Sequence, residues 1–297
     1  MTKVLGISAF CHDSAGITER GLALWGKLPL PLRKAVGNFL FHRQAVVSRL
    51  FPDRMRVVRV KWGIPKGMKM ELNLRWERHF FLGVYEGKVQ AALKRFVHPG
   101  MTVYNLGAHI GFFALGMHKL IHPGGQVLAF EPSPRVRERL LRNLSLNGLE
   151  NKVRVESYAM GNADEIADFS EGLGYSQGRF IDLPAGRCGS IFPVDCRRLD
   201  TYVAGGGPPP DFVLMDVEHA EDRVIRGMAG ILDEFHPGVI LEIHSGEKKR
   251  QVWEELVSHQ YILAELSSLW EHQPRKEEEY GHYLAVPGKL RKEKMCV

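Results

Sequence analysis

The chain has 297 residues, of which 44% are hydrophobic and 25% charged, an ordinary composition for a globular protein with room for one α/β domain and a smaller appended region. No apolar run reaches the ~20 residues that span a bilayer, and Cys11-His12-Asp13 interrupts the apolar stretch near the start, which argues against a signal peptide. The four cysteines are scattered without metal-ligand spacing. We therefore predict a cytoplasmic protein.

The net charge of +6 hides an uneven distribution. Residues 1–98 contain 18 Lys and Arg against 6 Asp and Glu, whereas residues 99–297 contain 22 against 28. A basic front part can face nucleic acid, an anionic membrane or an acidic substrate, although a solvated helix surface is the commoner reason for it. The sequence contains no zinc finger, RNA-binding aromatic signature or Arg-rich tract, so we predict no nucleic-acid partner.

The chain opens with Val4-Leu5-Gly6-Ile7-Ser8-Ala9-Phe10-Cys11-His12-Asp13-Ser14-Ala15-Gly16, which resembles the start of the NodU-type carbamoyltransferases. Nothing after Gly16 continues that resemblance, so we interpret residues 1–21 as a tail or fusion remnant without activity of its own. Residues 22–51 predict an amphipathic helix with basic side chains between its apolar positions. Such a helix can lie on a membrane surface, but packing against its own domain is the favoured alternative.

A hairpin and a second helix complete the predicted N-terminal basic region, residues 22–97. Alternating runs at 57–62 and 68–74, on either side of a Gly/Pro turn, predict the hairpin. A helix should follow from about residue 76 to residue 97, where Pro99-Gly100 ends it.

From residue 98 to residue 297 the alternation of strands and helices predicts the main domain. Short apolar strands separated by helices indicate a mostly parallel sheet covered on both faces. The seventh strand follows the sixth so closely that we predict it to be antiparallel. Within residues 166–200 the Gly-rich stretch 171–189 predicts a hairpin or mobile loop. The predicted strands are 102–106, 126–131, 152–159, 211–217, 238–244, 261–266 and 281–286, and the predicted helices 112–121, 134–147, 220–234 and 247–259.

The first strand of this domain runs into Asn105-Leu106-Gly107-Ala108-His109-Ile110-Gly111, directly before a helix. Glycines in such a loop let the backbone turn tightly and approach a ligand. Glu131 ends the next strand, 24 residues after Gly107, where a carboxylate can accept hydrogen bonds from both hydroxyls of a ribose. Since the loop is G-x-x-x-G and lacks the pyrophosphate-binding G-x-G-x-x-G pattern, S-adenosylmethionine is a better ligand than a dinucleotide.

With these motifs the sequence resembles the FkbM family of methyltransferases over about residues 56–287. The resemblance implies a class I, Rossmann-like α/β fold with a seven-stranded, mostly parallel sheet. It also implies S-adenosylmethionine as methyl donor and O-methylation of a hydroxyl on a sugar or natural product. Eight ordered blocks carry it: Gly83-Val84-Tyr85-Glu86, Pro99-Gly100-Met101-Thr102-Val103, Gly107-Ala108-His109-Ile110-Gly111, Phe130-Glu131-Pro132-Ser133-Pro134, Asn143-Leu144-Ser145-Leu146-Asn147-Gly148, Leu199-Asp200-Thr201-Tyr202, Met215-Asp216-Val217-Glu218-His219-Ala220-Glu221 and Leu241-Glu242-Ile243-His244.

The resemblance further implies which residues form the site. Glu131 would hold the donor ribose, Ala159 and Met160 would border the adenine, and Asp216 and Glu218 would lie beside the methyl group and the acceptor. The full set implied for the donor is Asn105, Gly107, Ala108, His109, Gly111, Glu131, Ala159 and Met160.

Three positions depart from the family's pattern. Asn105 stands where an acidic residue is usual, so it supplies no charge for the donor's ammonium group. His109 replaces an Asn and adds bulk near the ligand, and His219 replaces a Gly whose backbone conformation a side chain tolerates less well. These departures motivate an alternative hypothesis, a catalytically silent methyltransferase-fold domain that binds a partner or the donor.

Methyl transfer to oxygen requires alignment of the acceptor and removal of its proton. Histidine titrates near neutrality without perturbation, so His219 and His244, at the ends of the fourth and fifth strands, are candidate bases, with Asp216 and Glu218 as carboxylate alternatives. Although several of these side chains offer metal-ligand atoms, their spacing forms no recognised ligand set, and we predict no metal. The expected acceptor is a small molecule or a glycan, and the sequence indicates no oligomeric state.

Overall fold

A computed structural model describes residues 51, 53–172, 178–180, 188–266 and 281–288. The predicted tail and nearly all of the predicted helix over 22–51 lie outside the described residues, as does most of the Gly-rich stretch 171–189. Within the described part of the chain, no helix is both long enough and apolar enough to cross a bilayer.

The predicted N-terminal hairpin is confirmed, because strand β1 (Met55–Arg59) pairs antiparallel with β2 (Lys69–Asn73). The single helix predicted for 76–97 is wrong. Two helices form instead, α1 (Arg78–Leu82) and α2 (Gly87–Phe96). Gly83 ends α1 at φ +69°, and a Cβ on it would lie 1.8 Å from the Trp62 carbonyl oxygen. A left-handed turn this close to another backbone segment requires glycine and interrupts the helix.

The rest of the described chain alternates strands and helices as predicted. Its elements are β3 (Thr102–Leu106), α3 (Phe112–Ile121), β4 (Gln126–Phe130), α4 (Pro134–Ser145), β5 (Val153–Glu156), β6 (Ala159–Met160), β7 (Glu165–Gly172), β8 (Gly178–Phe180), β9 (Cys188–Arg197), α5 (Leu199–Ala204), β10 (Phe212–Met215), α6 (Glu221–Gly227), α7 (Ala229–Glu234), β11 (Gly238–Ile243), α8 (Gly246–Ser258), β12 (Tyr261–Glu265) and β13 (Gly281–Pro287).

The central sheet has seven strands in the order β12-β13-β11-β10-β3-β4-β5. Strand β13 runs antiparallel to both of its neighbours, whereas β11, β10, β3, β4 and β5 pair in parallel. The seven-stranded, mostly parallel Rossmann-like sheet with an antiparallel last strand is therefore confirmed. Strands β4 and β5 follow on one side of β3 in the strand order, whereas β10 and the later strands lie on the other side. Ligands in such folds bind at the carboxyl ends of the strands beside this switch point.

Residues 166–200 form more regular structure than a hairpin or loop. Strands β6, β9, β7 and β8 make a second sheet in that order, with β7 antiparallel to both β9 and β8. The strand predicted for 152–159 is divided accordingly: its first part is β5 of the central sheet, and Ala159 begins β6 of the second sheet. Periodicity alone could not show this transfer between sheets, because both parts are short and apolar on one side.

The two faces of the central sheet carry separate hydrophobic cores. On one face, helices α3 and α4 pack together with the N-terminal hairpin and helices, so that Met70 and Leu72 share a fully buried cluster with Leu115 and Leu140. On the other face, helices α5 to α8 cover a cluster that includes Tyr104. The N-terminal hairpin thus belongs to the core of the central sheet.

Polar contacts fasten the hairpin region to α4. Arg139 donates to both carboxylate oxygens of Glu77, at 2.7 and 2.8 Å, and the Glu77 side chain is only 3% exposed. The buried amide of Asn143 accepts from the Glu71 N–H and donates to the Ile110 carbonyl. Asn147, just beyond the helix, accepts from the N–H and donates to the carbonyl of a single β2 residue, Lys69.

Candidate active site

A cavity of about 510 Å³ opens at the carboxyl ends of β3, β4 and β10, at the switch point of the sheet. Nine of the twelve residues that the sequence proposes for the site line this cavity: Asn105, Gly107, Ala108, His109, Glu131, Ala159, Met160, Asp216 and Glu218. Gly111, His219 and His244 are not among the lining residues. The fold thus brings the two groups of proposed residues, those for the donor and those for proton removal, to one enclosed space.

The loop after β3 turns sharply at Gly107, whose φ is +75°. A Cβ on this glycine would lie 1.9 Å from the Asp216 carbonyl oxygen, so no other residue fits without moving the end of β10. The N–H groups of Gly107 and Ala108 both donate to the Phe130 carbonyl, at 3.1 and 2.9 Å. The loop is thereby held against the end of β4, and Gly111, at φ +92°, begins α3 behind it.

Two of the departures from the family pattern occupy left-handed backbone positions. His109 has φ +49° and His219 has φ +62°. A β-carbon in this region costs roughly 1–2 kcal/mol relative to glycine. The expectation that position 219 suits glycine is therefore confirmed by its backbone. The His109 ring faces the cavity beside Phe80, with 5.8 Å between ring centroids.

Glu131 follows β4 and presents a buried carboxylate, with the residue 7% exposed. The His109 N–H donates to its Oε2 at 2.9 Å, and the Ser133 N–H donates to its Oε1 at 3.0 Å. Burial raises the pKa of Glu131 from 4.5 to about 7, although these two hydrogen bonds and the charge of Arg137 oppose the shift. The carboxylate is thus fixed in direction and close to half ionised at neutral pH.

Asn105, the last but one residue of β3, is 1% exposed and lines the cavity. Its Oδ1 has no hydrogen-bond partner. A buried oxygen left without a donor costs about 1–3 kcal/mol, so the cavity lacks a hydrogen-bond donor at this point. The ammonium group of S-adenosylmethionine has donors of the required kind, and the uncharged Asn105 still fits that group of the ligand.

Ala159 and Met160 reach the cavity from the second sheet. Both are almost fully buried, at 4% and 3% exposure, and β6 that carries them pairs in parallel with β9. Together with Tyr158 and Phe130 they give this end of the cavity an apolar, partly aromatic lining. Such a wall suits a flat heterocycle such as adenine.

The part of the cavity beside the end of β10 carries acidic side chains and is called its acidic end. Asp216 and Glu218, directly after β10, both line it. Burial raises the pKa of Asp216 well above its usual range, and the carboxylates of Glu242, Glu86 and Glu218 raise it further. A carboxylate whose pKa is raised above its usual range accepts a proton more readily than an ordinary carboxylate does.

His244 lies behind these carboxylates, at the end of β11, with its side chain 8% exposed. Its Nδ1 contacts Glu221, and its Nε2 lies 3.3 Å from Glu218 Oε2. Burial opposes ionisation of His244, but the contacts with Glu221, Glu218 and Glu242 outweigh it and raise the pKa of the ring. The His219 ring is adjacent, at 5.1 Å between centroids. The two histidines therefore support the carboxylates from outside the cavity lining.

Several residues at this end were missed by the sequence reasoning. Glu221 and Glu242 are buried acids beside His244, and His282 on β13 lies 3.4 Å from Glu86. Tyr85 lines the cavity directly before Glu86. All but His282 stand in the sequence blocks quoted above, so an acid or tyrosine inside such a block was the signal that could have identified them.

The sheet order, the glycine loop and the cavity at the switch point together define a methyltransferase of the Rossmann-like class. A family model described as the methyltransferase FkbM domain matches residues 105–280, more than half of the chain. The protein belongs to the FkbM methyltransferase family, and its methyl donor is S-adenosylmethionine. No curated protein is significantly similar to it in sequence.

Solved structures similar to this chain are methyltransferases of low sequence identity. A putative rRNA methylase from Clostridium thermocellum is 14% identical, with a TM-score of 0.45, over 68% of this chain and 93% of that one. An S-adenosylmethionine-dependent O-methyltransferase from Thermotoga maritima is 13% identical, with a TM-score of 0.42, over 68% and 65%. Fibrillarin from Aeropyrum pernix, with natively bound S-adenosylmethionine, is 16% identical, with a TM-score of 0.41, over 67% and 74%.

Proposed function

We propose that this protein is an O-methyltransferase that transfers the methyl group of S-adenosylmethionine to a hydroxyl group of a sugar or another small natural product. One observation carries the proposal: the glycine loop, Glu131, Asp216 and Glu218 all line a single cavity. A cationic donor and a hydroxyl that must lose its proton can therefore meet inside one enclosed space.

At the donor end, each side chain offers a contact of a definite kind. Glu131 accepts hydrogen bonds from the ribose hydroxyls, and Asn105 Oδ1 accepts one from the ammonium group of the donor. The absence of a side chain at Gly107 lets the loop approach the Asp216 carbonyl and so shapes this part of the cavity. Ala159 and Met160 supply the apolar contact with the adenine. The donor's sulfonium would then face the acidic end of the cavity.

At the acidic end the methyl group passes directly from sulfur to oxygen. The C–S bond breaks and its electron pair stays on sulfur, while the acceptor oxygen forms the new bond to carbon and loses its proton. Asp216 and Glu218 are the groups placed to receive that proton, because both line the cavity. His219 and His244 stand behind them, so they act on the carboxylates rather than on the acceptor.

The cavity is rich in aromatic side chains, which favours an acceptor with a ring. Trp76, Phe80, Tyr85, Phe112 and Phe180 all line the cavity. Aromatic faces pack well on planar rings and on the apolar faces of sugars. A small molecule or a glycan fits this enclosed cavity better than a nucleic acid does. We place the enzyme in the cytoplasm, since its scattered cysteines provide no disulfide framework.

Calorimetry with S-adenosylmethionine tests the donor end. Asn105→Ala should weaken donor affinity about tenfold, because a hydrogen bond to a charged group contributes roughly 1.5 kcal/mol or more. The matched control is Asn151→Ala, which changes an exposed asparagine in a turn and should leave affinity unchanged. Absence of binding to the unaltered protein at millimolar donor would refute the enzyme and support the silent binding domain.

Transfer of a labelled methyl group to a panel of hydroxylated small molecules tests the acidic end. Once an acceptor is found, Asp216→Asn should lower kcat by about 100-fold or more while donor affinity changes little, since loss of a general base has effects of this size. An Asp216→Asn enzyme with full kcat would contradict the assignment of proton transfer to this end of the cavity.

A further inference from the structure

Three side chains beside the cavity are arranged as metal ligands. Asp216 and Glu218 follow β10, and His244 follows β11. One ligand atom from each lies within 4.8 Å of the ligand atoms of the other two. The sequence also offers these three as possible ligands, but we predicted no metal from it, because their linear spacing forms no recognised set and only the parallel sheet brings the third member alongside.

The orientation of His244 is fixed by a buried carboxylate. Glu221 is fully buried, and its Oε1 contacts His244 Nδ1, which fixes the direction of the ring. Nε2 then points toward Glu218 Oε2, 3.3 Å away, and a cation that binds this nitrogen displaces its proton. Two atoms 3.3 Å apart can both bind one metal ion at bond lengths of about 2.0–2.1 Å. A carboxylate on the far ring nitrogen is the usual support of a metal-binding histidine.

A second feature beside the triad is a concentration of buried carboxylates. The other oxygen of Glu221, Oε2, is buried and has no hydrogen-bond partner. Glu242 adds a further buried carboxylate, with Oε2 3.9 Å from His244 Nε2. Burying several carboxylates together is unfavourable unless a positive charge compensates them. The cluster therefore combines the geometry of a cation site with buried carboxylates that a bound cation would stabilise.

We propose that Asp216, Glu218 and His244 bind one divalent transition-metal cation, which holds the acceptor hydroxyl at an open coordination position. This chemical role rests on the proposed O-methyltransferase function, whereas cation binding does not. A cation at this point would lower the pKa of the bound hydroxyl, so that its proton passes more readily to a free carboxylate oxygen of Asp216 or Glu218. The resulting alkoxide takes the methyl group, and the electron pair of the broken C–S bond stays on sulfur.

A second group of three residues nearby is an alternative cation site. Glu86, Glu242 and His282 also place ligand atoms within 4.8 Å of one another. These three residues are not among those that line the cavity, so a cation there could not hold the acceptor. Loss of binding in His282→Ala but not in His244→Ala would place the ion in this second group and overturn the proposal.

Manganese binding to the full-length protein tests the inference, with electron paramagnetic resonance reporting the remaining unbound Mn²⁺. We expect one Mn²⁺ per chain. His244→Ala and Glu218→Gln should each weaken binding at least tenfold, and Glu221→Gln should weaken it about 10- to 100-fold through the histidine. His259→Ala is the matched control, because that histidine also contacts two carboxylates, Asp233 and Glu255, on the outer side of the fold.

The outcomes separate this inference from the proposed function. Failure of Mn²⁺ and Zn²⁺ to bind at millimolar concentration, or binding unaffected by both His244→Ala and Glu218→Gln, overturns the cation site. Methyl transfer that persists in a chelator removes the cation's chemical role and leaves the O-methyltransferase intact. If Glu218→Gln alone remains folded, its tenfold loss of Mn²⁺ affinity is sufficient support, because this partly exposed side chain is not part of the core.

Discussion

The raised pKa of Glu131 makes donor binding dependent on pH. This pKa is about 7, so at pH 6 most molecules carry a protonated Glu131. Ribose hydroxyls donate to the ionised carboxylate more strongly than to the acid, and the donor therefore has to displace a proton at low pH. For a group with a pKa of 7, this proton costs about tenfold in affinity between pH 8 and pH 6.

The raised pKa of Glu131 also makes the free energy of unfolding depend on pH. The folded pKa lies above the usual 4.5 of a glutamate, so the folded state favours the protonated acid, and stability falls as pH rises from 4.5 through 7. Above pH 7 the full shift corresponds to roughly 3 kcal/mol. Glu131→Gln should remove this cost at pH 8, but it also replaces one of two hydrogen-bond acceptors by a donor facing a backbone N–H, at a cost of about 1–3 kcal/mol.

Isothermal calorimetry with S-adenosylmethionine at pH 6, 7 and 8, in two buffers of different ionisation enthalpy, measures both the affinity and the protons released. We expect proton release near pH 6 that disappears by pH 8, and the loss of this component in Glu131→Gln. The number of protons released is the slope of the binding enthalpy against the ionisation enthalpy of the buffer. Subtracting this slope for Glu131→Gln from the slope for the unaltered protein removes the contribution of the nearby histidines. Equal slopes for the two proteins would show that Glu131 does not release the proton.

Two further predictions concern the framework of the site. Gly107→Ala should destabilise the protein by about 2 kcal/mol or more in urea unfolding and abolish donor binding, because its Cβ would overlap the Asp216 carbonyl oxygen. Gly67→Ala is the control, because Gly67 also has a positive φ but has open space around it. Its loss of stability measures the backbone strain alone. Arg139→Ala should cost about 3–5 kcal/mol by leaving buried Glu77 unpaired, whereas Arg75→Ala, whose partner Asp53 is 53% exposed, should cost less than about 1 kcal/mol.

The central sheet could be predicted from sequence because its signals are local. Each parallel strand is a short apolar run followed by a helix, and the close succession of β12 and β13 indicated the antiparallel pair. The division of residues 76–97 into α1 and α2 could not be predicted, since it depends on the contact of Gly83 with the Trp62 carbonyl, a segment outside the helix. Propensity alone carries no information on such a contact.

The site shows the same division between local and long-range information. Gly107 and Glu131 could be proposed from the sequence because a loop and a strand end are defined by their neighbours in the chain. The acidic end depends on which strand ends are adjacent in the sheet. Glu221 and Glu242 acquire a role only when β10 and β11 lie side by side and His244 stands between the two acids.

The two asparagines of α4 and its end have a consequence for how this protein behaves at high concentration. Strand β2 pairs with β1 on one side only, and an unpaired strand edge is a template for intermolecular sheet formation. Asn143 and Asn147 occupy the Glu71 N–H and both backbone groups of Lys69 on the other side. Their side-chain amides imitate a neighbouring strand, so the edge is closed against other molecules without a further strand being built.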